Sequence, residues 1–265
     1  MPLPPPYFRE AGSGPGVVCL HANASSSSQW RALMERLAPR FRVFAADSFG
    51  TGKSPPWPAD RKIGLRDEAA LLEPVFERAG EPFVLIGHSY GAAIALIAAL
   101  DRPQRVRALM LYEPTLFSVL DAESPPPNEA EGIRAGVVEA ARMLEAGDAN
   151  AAAECFIDYW MGAGSWEAMP ESRRVPILAS IVNIVDWGRA LFEEPTPLER
   201  FRTLNVPVLY MMGKETREPA KGVARLLTGA LPQLEVVEFE GLGHMGPVTH
   251  PDIVNEVIAG FLERT

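Results

Sequence analysis

The chain has 265 residues, 47% of them hydrophobic, which is enough for one domain with a sizeable buried core. Its formal net charge is −9 and its Lys and Arg residues form no cluster, so neither nucleic acid nor an anionic membrane is an expected partner. No apolar run is long enough for a membrane span, no signal peptide is evident, and two cysteines are too few for a disulfide framework, which together favour a cytoplasmic location.

Short apolar runs alternate with segments that carry apolar residues at spacings of three and four. The runs predict strands over residues 17–20, 42–46, 83–86, 108–112, 208–212 and 234–239, with a further edge strand over 7–11. The helical spacings predict helices over 29–37, 65–79, 90–100, 219–227 and 251–262. This alternation is typical of an α/β fold, in which a mainly parallel central sheet is flanked by helices.

The interval between predicted strands 108–112 and 208–212 breaks the alternation. Helical spacing covers 129–145, 149–160 and 171–189, and prolines stand near both ends of the interval. A connection of this length is not an ordinary loop. We therefore expect a core formed by residues 1–118 and 201–265, with residues 119–200 inserted as a helical lid over the carboxyl edge of the sheet.

Ser89 stands in the sequence Gly87-His88-Ser89-Tyr90-Gly91, between a predicted strand and a predicted helix. A serine at such a turn exposes its hydroxyl above the sheet, and small neighbours are needed because the backbone packs closely there. The helix N-terminus favours negative charge that develops beside it. The pattern predicts Ser89 as a nucleophile, with His88 pointing away from it in a structural role.

His244 lies in a glycine-flanked segment, Gly241-Leu242-Gly243-His244, between the last predicted strand and the last predicted helix. A serine turn followed by a histidine after the last strand resembles the α/β-hydrolase fold family, and the resemblance spans residues 17–262. It implies a serine hydrolase with Ser89 as nucleophile and His244 as general base. His250, just before Pro251, is expected to cap the last helix instead.

The resemblance also implies an oxyanion hole. The segment 17–23 runs from an apolar strand into a loop of small residues, and by position the backbone amides of Asn23 and Tyr90 would be the donors. Ala22 stands where the family usually has glycine, which is tolerable only if its φ is negative. His21 is expected to organise this loop.

The acid of the triad is less clear from the sequence. Thr216 occupies the place after strand 208–212 where the family usually carries its acid, and Glu215 is adjacent to it. A second arrangement known in this fold places the acid after the preceding strand, where Glu113 stands. Burying a carboxylate there is unfavourable unless a histidine or backbone groups pair with it. Glu113 is the favoured acid, Glu215 is the alternative, and Glu113 could instead anchor the lid hinge.

Two other resemblances mislead. The acid placement and loop 21–26 are similar to those of haloalkane dehalogenases, but Ser89 and Tyr90 replace the aspartate nucleophile and the halide-binding ring of those enzymes. The Gly52-Lys53-Ser54 segment has Asp47 where a phosphate loop needs glycine, so a structural turn is expected. No metal-ligand spacing is present, and neither a metal nor a cofactor is expected.

The sequence thus predicts a serine hydrolase that cleaves a small or medium ester, lactone or related acyl compound through an acyl-enzyme. A carbon–carbon bond hydrolase of the same fold and a non-catalytic small-molecule receptor are the alternatives, and the absent acid at Thr216 favours the receptor. Trp160, Trp166 and Trp187 of the insertion either line an apolar pocket or pack the insertion onto the core. The oligomeric state is left open.

Overall fold

A computed structural model describes residues 4–265 and contains a seven-stranded sheet. The strands are β1 (Phe8–Ala11), β2 (Gly16–Leu20), β3 (Arg42–Ala46), β4 (Phe83–His88), β5 (Val106–Tyr112), β6 (Val208–Gly213) and β7 (Leu234–Phe239). Their order is β1-β3-β2-β4-β5-β6-β7, with β1 antiparallel to β3 and all other neighbours parallel. The predicted mainly parallel sheet is confirmed.

The central strands are apolar along their whole length because both faces of the sheet are covered. Every residue of β2 and β4 is buried. Leu20 pairs with Gly87, and His88 pairs with Tyr112, so β2, β4 and β5 end at the same edge. The loops that follow these three strands are therefore neighbours in space.

Helices cover the sheet and fill the interval between β5 and β6. The helices are α1 (Arg31–Leu37), α2 (Leu65–Leu71), α3 (Glu73–Ala79), α4 (Tyr90–Asp101), α5 (Ser118–Glu123), α6 (Glu131–Glu145), α7 (Ala149–Met161), α8 (Ser165–Ala168), α9 (Glu171–Ser180), α10 (Ile184–Phe192), α11 (Leu198–Phe201), α12 (Glu218–Ala230), α13 (Gly246–Thr249) and α14 (Pro251–Leu262). We call α5–α11 the helical insertion.

Two predicted helices are interrupted. The expected helix over 65–79 is divided between α2 and α3 at Leu72, since Pro74 at the start of α3 has no N–H for a continuous helix. The expected helix over 171–189 is divided by a 3₁₀ turn, Ile181–Asn183. The remaining boundaries agree with the predicted ones to within a few residues, and those of β3, β7 and α14 are identical to them.

The helical insertion shares an apolar core with one face of the sheet. Ile133, Ile181 and Trp187 belong to the same buried cluster as Leu85 of β4 and Leu96 of α4. Among residues 4–265, the stretch Glu171–Phe192 is long and apolar enough by composition to cross a membrane, with a mean hydropathy of 1.4. Half of that window is buried inside the protein, as in a helix that packs against its own domain.

Candidate active site

Ser89 lies at a sharp turn between β4 and α4. Its φ of 56° and ψ of −115° form a conformation that a non-glycine residue keeps only when its surroundings enforce it. A Cβ at Gly87 would lie 2.4 Å from Cα of Ala92, and one at Gly91 would lie 2.4 Å from the carbonyl oxygen of Leu20. Packing therefore requires small residues on both sides of the serine, as predicted.

His244 and Glu113 approach Ser89 from two other loops. His244 follows β7, and Glu113 follows β5 directly with a φ of 44°. Nε2 of His244 lies 2.9 Å from Oγ of Ser89, and Nδ1 lies 2.6 Å from Oε2 of Glu113. Because Nδ1–H donates to the carboxylate, Nε2 is free to accept the serine proton. The structure places the three residues in one hydrogen-bonded row, and all three are buried.

Glu113, rather than Glu215, lies beside the histidine. Its Oε1 accepts the N–H of Gly213 at 2.8 Å, and its Oε2 accepts the hydroxyl of Thr216 at 2.6 Å. Glu215 is exposed at the surface. The hydrogen bonds offset the unfavourable burial of the Glu113 carboxylate. Thr216, which occupies the usual acid position, therefore binds the carboxylate of Glu113, which follows the preceding strand.

Asn23 and Tyr90 are the expected amide donors. Tyr90 is the first residue of α4, and Asn23 borders the same cavities as Ser89. Within the described part of the chain, neither backbone N–H has a hydrogen-bond acceptor. The positive φ in this loop, 54°, falls on Ala24 and not on Ala22, so alanine is compatible with the turn. Both amides are available to a ligand, and their role as an oxyanion hole stays a prediction.

His88 points away from Ser89 as expected, but its contacts could not be predicted. Its Nε2–H donates to the carbonyl oxygen of His244 at 2.8 Å, and its Nδ1 accepts from the Gln29 amide at 3.1 Å. Oε1 of Gln29 in turn accepts the N–H of Ala22 at 3.2 Å. Burial holds the pKa of His88 well below its usual value, which keeps the ring neutral. This row connects the loop after β2 to the loop that carries His244.

A buried carboxyl group lies under the serine turn. Oε1 of Glu68 is 3.1 Å from the hydroxyl of Tyr90, and Oε2 accepts the N–H of Phe49 at 3.1 Å. Complete burial raises the pKa of Glu68 to about 8, so this carboxyl is protonated at neutral pH. In the sequence, Glu68 is one charged position on an amphipathic helix and gives no sign of this role.

Two cavities adjoin Ser89. The outer cleft has a volume of about 460 Å³ and is bordered by serines of loop 25–28 on one side and by apolar side chains of α7 and α9 on the other. The inner cavity has a volume of about 20 Å³. The residues that border both cavities are Asn23, Ser89, Phe156 and Trp160. The hydroxyl of Ser89 therefore lies between a large compartment and a small one.

The three tryptophans of the insertion differ in whether they line a cavity or pack the insertion onto the core. Trp166 is buried and packs the insertion, whereas Trp187 is both buried and part of the inner cavity wall. Trp160 borders both cavities, and its ring stacks on that of His244 with the centroids 3.9 Å apart and an interplanar angle of 27°. The insertion thus contacts the imidazole directly.

The other histidines lie in structural positions. His21 donates from Nδ1 to the carbonyl oxygen of Ala22 at 2.7 Å and accepts the N–H of Ser48 at Nε2, at 3.2 Å, which organises the loop as expected. His250 is at the N-cap of α14, but its ring contacts Oγ1 of Thr249 instead of a helix amide. His250 therefore takes the expected N-cap position, although within the described residues its side chain makes no capping hydrogen bond.

The Gly52-Lys53-Ser54 segment forms a turn around Asp47. The carboxylate of Asp47 accepts the N–H groups of Ser27 at 2.5 Å and Lys53 at 2.9 Å, so it occupies the space that a phosphate would need. In residues 4–265, no group of three or more His, Cys, Asp or Glu side chains could hold a metal ion.

Comparisons with known proteins identify the family of this chain. Residues 15–251 match the family model described as alpha/beta hydrolase fold. The pimeloyl-[acyl-carrier protein] methyl ester esterase of Yersinia enterocolitica is 23% identical over 265 residues, with 98% of each chain covered. An esterase from Exiguobacterium antarcticum has a TM-score of 0.81 at 20% identity, with 97% of this chain and 95% of that chain covered. An alpha/beta hydrolase from Sphaerobacter thermophilus has a TM-score of 0.76 at 24% identity, with 97% and 96% covered. Since the family match extends over most of its length, this chain belongs to the alpha/beta hydrolase fold family and is a hydrolase.

Proposed function

We propose that this protein is a serine esterase that cleaves a small or medium ester, lactone or related acyl compound. The observation that carries the proposal is the row from Ser89 through His244 to Glu113, which ends at a cleft of about 460 Å³. A nucleophile, a base and an acid that orients the base are the parts that acyl transfer needs.

In the acylation step, Oγ of Ser89 attacks the carbonyl carbon while Nε2 of His244 takes the hydroxyl proton. The negative charge that develops on the carbonyl oxygen is held by the amides of Asn23 and Tyr90. Glu113 keeps Nδ1 protonated and stabilises the imidazolium. When the tetrahedral intermediate collapses, the carbon–oxygen bond to the leaving group breaks and His244 returns the proton to the departing alkoxide.

In the deacylation step, water replaces the alcohol. His244 takes a proton from the water as its oxygen attacks the acyl carbon, and the bond to Ser89 then breaks with the proton returned to Oγ. The products are a carboxylic acid and an alcohol, and the enzyme is unchanged. No cofactor takes part in these steps.

The helical insertion serves as a lid in this proposal. Its helices α7 and α9 border the outer cleft with apolar side chains, which suits the hydrocarbon part of a small-molecule substrate. The Yersinia relative is named for a methyl ester of an acyl chain, and the outer cleft has room for an extended chain of that kind. The partner is therefore a small molecule, and neither nucleic acid nor a membrane is required.

A fluorophosphonate probe tests the proposal on the purified protein. The wild type is expected to be labelled at Ser89, and Ser89→Ala is expected to be unlabelled and to lose turnover of short-chain esters by about 10⁶-fold. Ester hydrolysis is measured over a series of acyl chain lengths.

The outcomes separate the alternatives. Folded wild-type protein that neither reacts with the probe nor hydrolyses any ester would support a non-catalytic receptor. Labelling at Ser89 without hydrolysis of esters or lactones would move the chemistry to another bond, such as a carbon–carbon bond. The contact between Nδ1 of His244 and Oε2 of Glu113 supports the esterase over the receptor, because a carboxylate lies beside the histidine although position 216 has none.

A further inference from the structure

We propose that the inner cavity beside Ser89 is a subsite for a short, neutral, hydroxyl-bearing group of the substrate. This inference rests on the proposed esterase function, because the group in question is attached to the reacting ester. The cavity has a volume of about 20 Å³. A single water needs about 10–15 Å³, so the cavity accepts a group of one or two non-hydrogen atoms.

Most of the cavity wall is hydrocarbon or aromatic. The apolar residues that border it include Phe117, Ile133, Val137, Phe156, Leu191 and Phe192. No charged side chain borders it among the described residues. Burying an unpaired charge in such surroundings is strongly unfavourable, so a carboxylate, phosphate or ammonium group is excluded from this cavity.

In the described part of the chain, three of the residues that border the cavity each carry a buried polar atom without a partner. Nε1 of Trp187, Oγ1 of Thr115 and Oδ1 of Asn23 are buried, and within residues 4–265 none of them has a hydrogen-bond partner. All three residues border the inner cavity. Thr115 is 2% exposed and Trp187 is 1% exposed, so bulk water does not reach them. Buried polar groups are normally paired, and three unpaired groups around one small cavity indicate a polar occupant.

The donors and acceptors identify the kind of polar group. The indole N–H of Trp187 only donates, the Oδ1 of Asn23 only accepts, and the hydroxyl of Thr115 does either. A hydroxyl oxygen can accept from Trp187 while its proton is donated to Asn23 or Thr115. A carbonyl oxygen would satisfy donors alone, and a methyl group would satisfy neither kind. A substrate hydroxyl is therefore the short neutral group that matches both kinds of atom.

Matched substrates test the subsite on the full-length protein. On the acyl side, 4-nitrophenyl glycolate is compared with 4-nitrophenyl propionate, since their acyl groups differ only by a hydroxyl in place of a methyl group. On the alcohol side, the 2-hydroxyethyl and propyl esters of one acid are compared. In at least one pair, kcat/KM of the hydroxyl member, corrected for its spontaneous hydrolysis, is expected to be higher by at least about tenfold.

Variants show which atoms produce the preference. Thr115→Val and Trp187→Phe remove one polar atom each and are expected to reduce the ratio between pair members, a quantity that a general loss of activity does not change. Trp166→Phe is the matched control, because its indole N–H donates to Asn150 at 3.2 Å outside the cavity, and it should leave the ratio unchanged.

Three results would overturn the subsite. The first is hydrolysis with no preference in either pair, and the second is a preference that survives both variants. Either of these, with fluorophosphonate labelling of Ser89 intact, leaves the esterase proposal standing. The third is the absence of both labelling and hydrolysis, which removes the esterase proposal and the subsite together.

Discussion

The loops of the sheet and the helical insertion contribute to one site in different ways. In the described part of the chain, the non-glycine residues with positive φ are Ala24, Ser89 and Glu113, and they follow β2, β4 and β5. Each such conformation costs about 1–3 kcal/mol and persists only where the surroundings enforce it. The insertion contributes Trp160 and Trp187 from regular helices instead.

This difference separates two tasks. The sheet loops hold Ser89, His244 and Glu113 in place through short hydrogen bonds to side chains and backbone, as in the two bonds from Gly213 and Thr216 to Glu113. The insertion sets the shape of the two cavities. Changes in the sheet loops should therefore alter the rate of the chemical step, whereas changes in the insertion should mainly alter which substrates react.

The largest effect is expected for Glu113→Gln. The glutamine amide would donate to Nδ1 of His244, which would place the remaining imidazole proton on Nε2 and leave no acceptor for the Ser89 hydroxyl. We expect kcat to fall by about 10⁴-fold with the melting temperature little changed. Steady-state kinetics with a short-chain ester and thermal unfolding measure the two quantities.

Glu215→Gln is the control for this prediction. The Glu215 side chain is exposed, so this variant should retain wild-type kcat. The reverse pattern, with activity lost in Glu215→Gln and kept in Glu113→Gln, would reassign the acid. A comparable loss from a substitution in the insertion that does not touch His244 would contradict the division of tasks itself.

Most of the sheet, and the turns that carry Ser89 and His244, could be predicted because local patterns determine them. Continuous apolar runs identified the strands, and the closely packed turn around Ser89 accepts only small neighbours, which is visible in sequence. Glu113 was favoured over Glu215 because a carboxylate at the end of a buried strand needs a partner. The sequence alone does not decide between Glu113 and Glu215, because Glu215 adjoins Thr216, which stands at the usual position of the acid in this family.

The parts that could not be predicted depend on distant pairs. Trp160 and His244 stack although they are far apart in the chain, and Gln29 meets His88 in the same way. The insertion's apolar spacing indicates that a helix has a buried side, but not which side chain reaches the site. The inner cavity likewise depends on how that insertion packs over β5.

Trp160 belongs to the insertion, yet its ring contacts the imidazole of His244. It is therefore the residue at which a change in the insertion should alter the chemical step. A tryptophan face attracts a cation by about 0.5–2 kcal/mol, and the proposed mechanism forms an imidazolium at His244 in the transition state. Trp160→Leu is therefore expected to lower kcat by about tenfold, with Trp160→Phe in between. Saturation kinetics separate this effect from any change in KM.

Fluorinated tryptophans at position 160 separate the electrostatic effect of the ring from its effect on cavity shape. Fluorine withdraws electron density from the ring face while the shape of the side chain is nearly kept. We expect kcat to decrease step by step with the number of fluorines. A kcat that does not respond to fluorination, with changes confined to KM, would show that Trp160 acts only as a wall of the two cavities.

The smallest effect on turnover is expected for Glu68→Gln. This substitution lies beneath the serine turn, and its main effect should be on the free energy of unfolding. In the insertion, the carboxylate of Asp121 is paired with the guanidinium of Arg134 at 2.7 Å. Among residues 4–265, Glu68 has no such cation beside it, and burial raises its pKa to about 8. Between its ordinary value of 4.5 and about 8, the folded protein binds a proton that the unfolded chain does not. The stabilisation from Glu68 is therefore complete below pH 4.5 and is lost as the pH rises through about 8.

Glutamine reproduces the protonated carboxyl, since its oxygen can accept from Phe49 and its amide can donate to Tyr90. The free energy of unfolding of Glu68→Gln, measured with urea at several pH values, should therefore gain on the wild type by up to about 1.4 kcal/mol per pH unit between pH 5 and about 8, and by no more above that. Turnover at pH 7 should change little, because Glu68 touches Tyr90 through its hydroxyl and not through its backbone amide. A difference in stability that is independent of pH would mean that Glu68 is ionised in the folded protein, and the buried hydrogen bonds would then have to hold a charge.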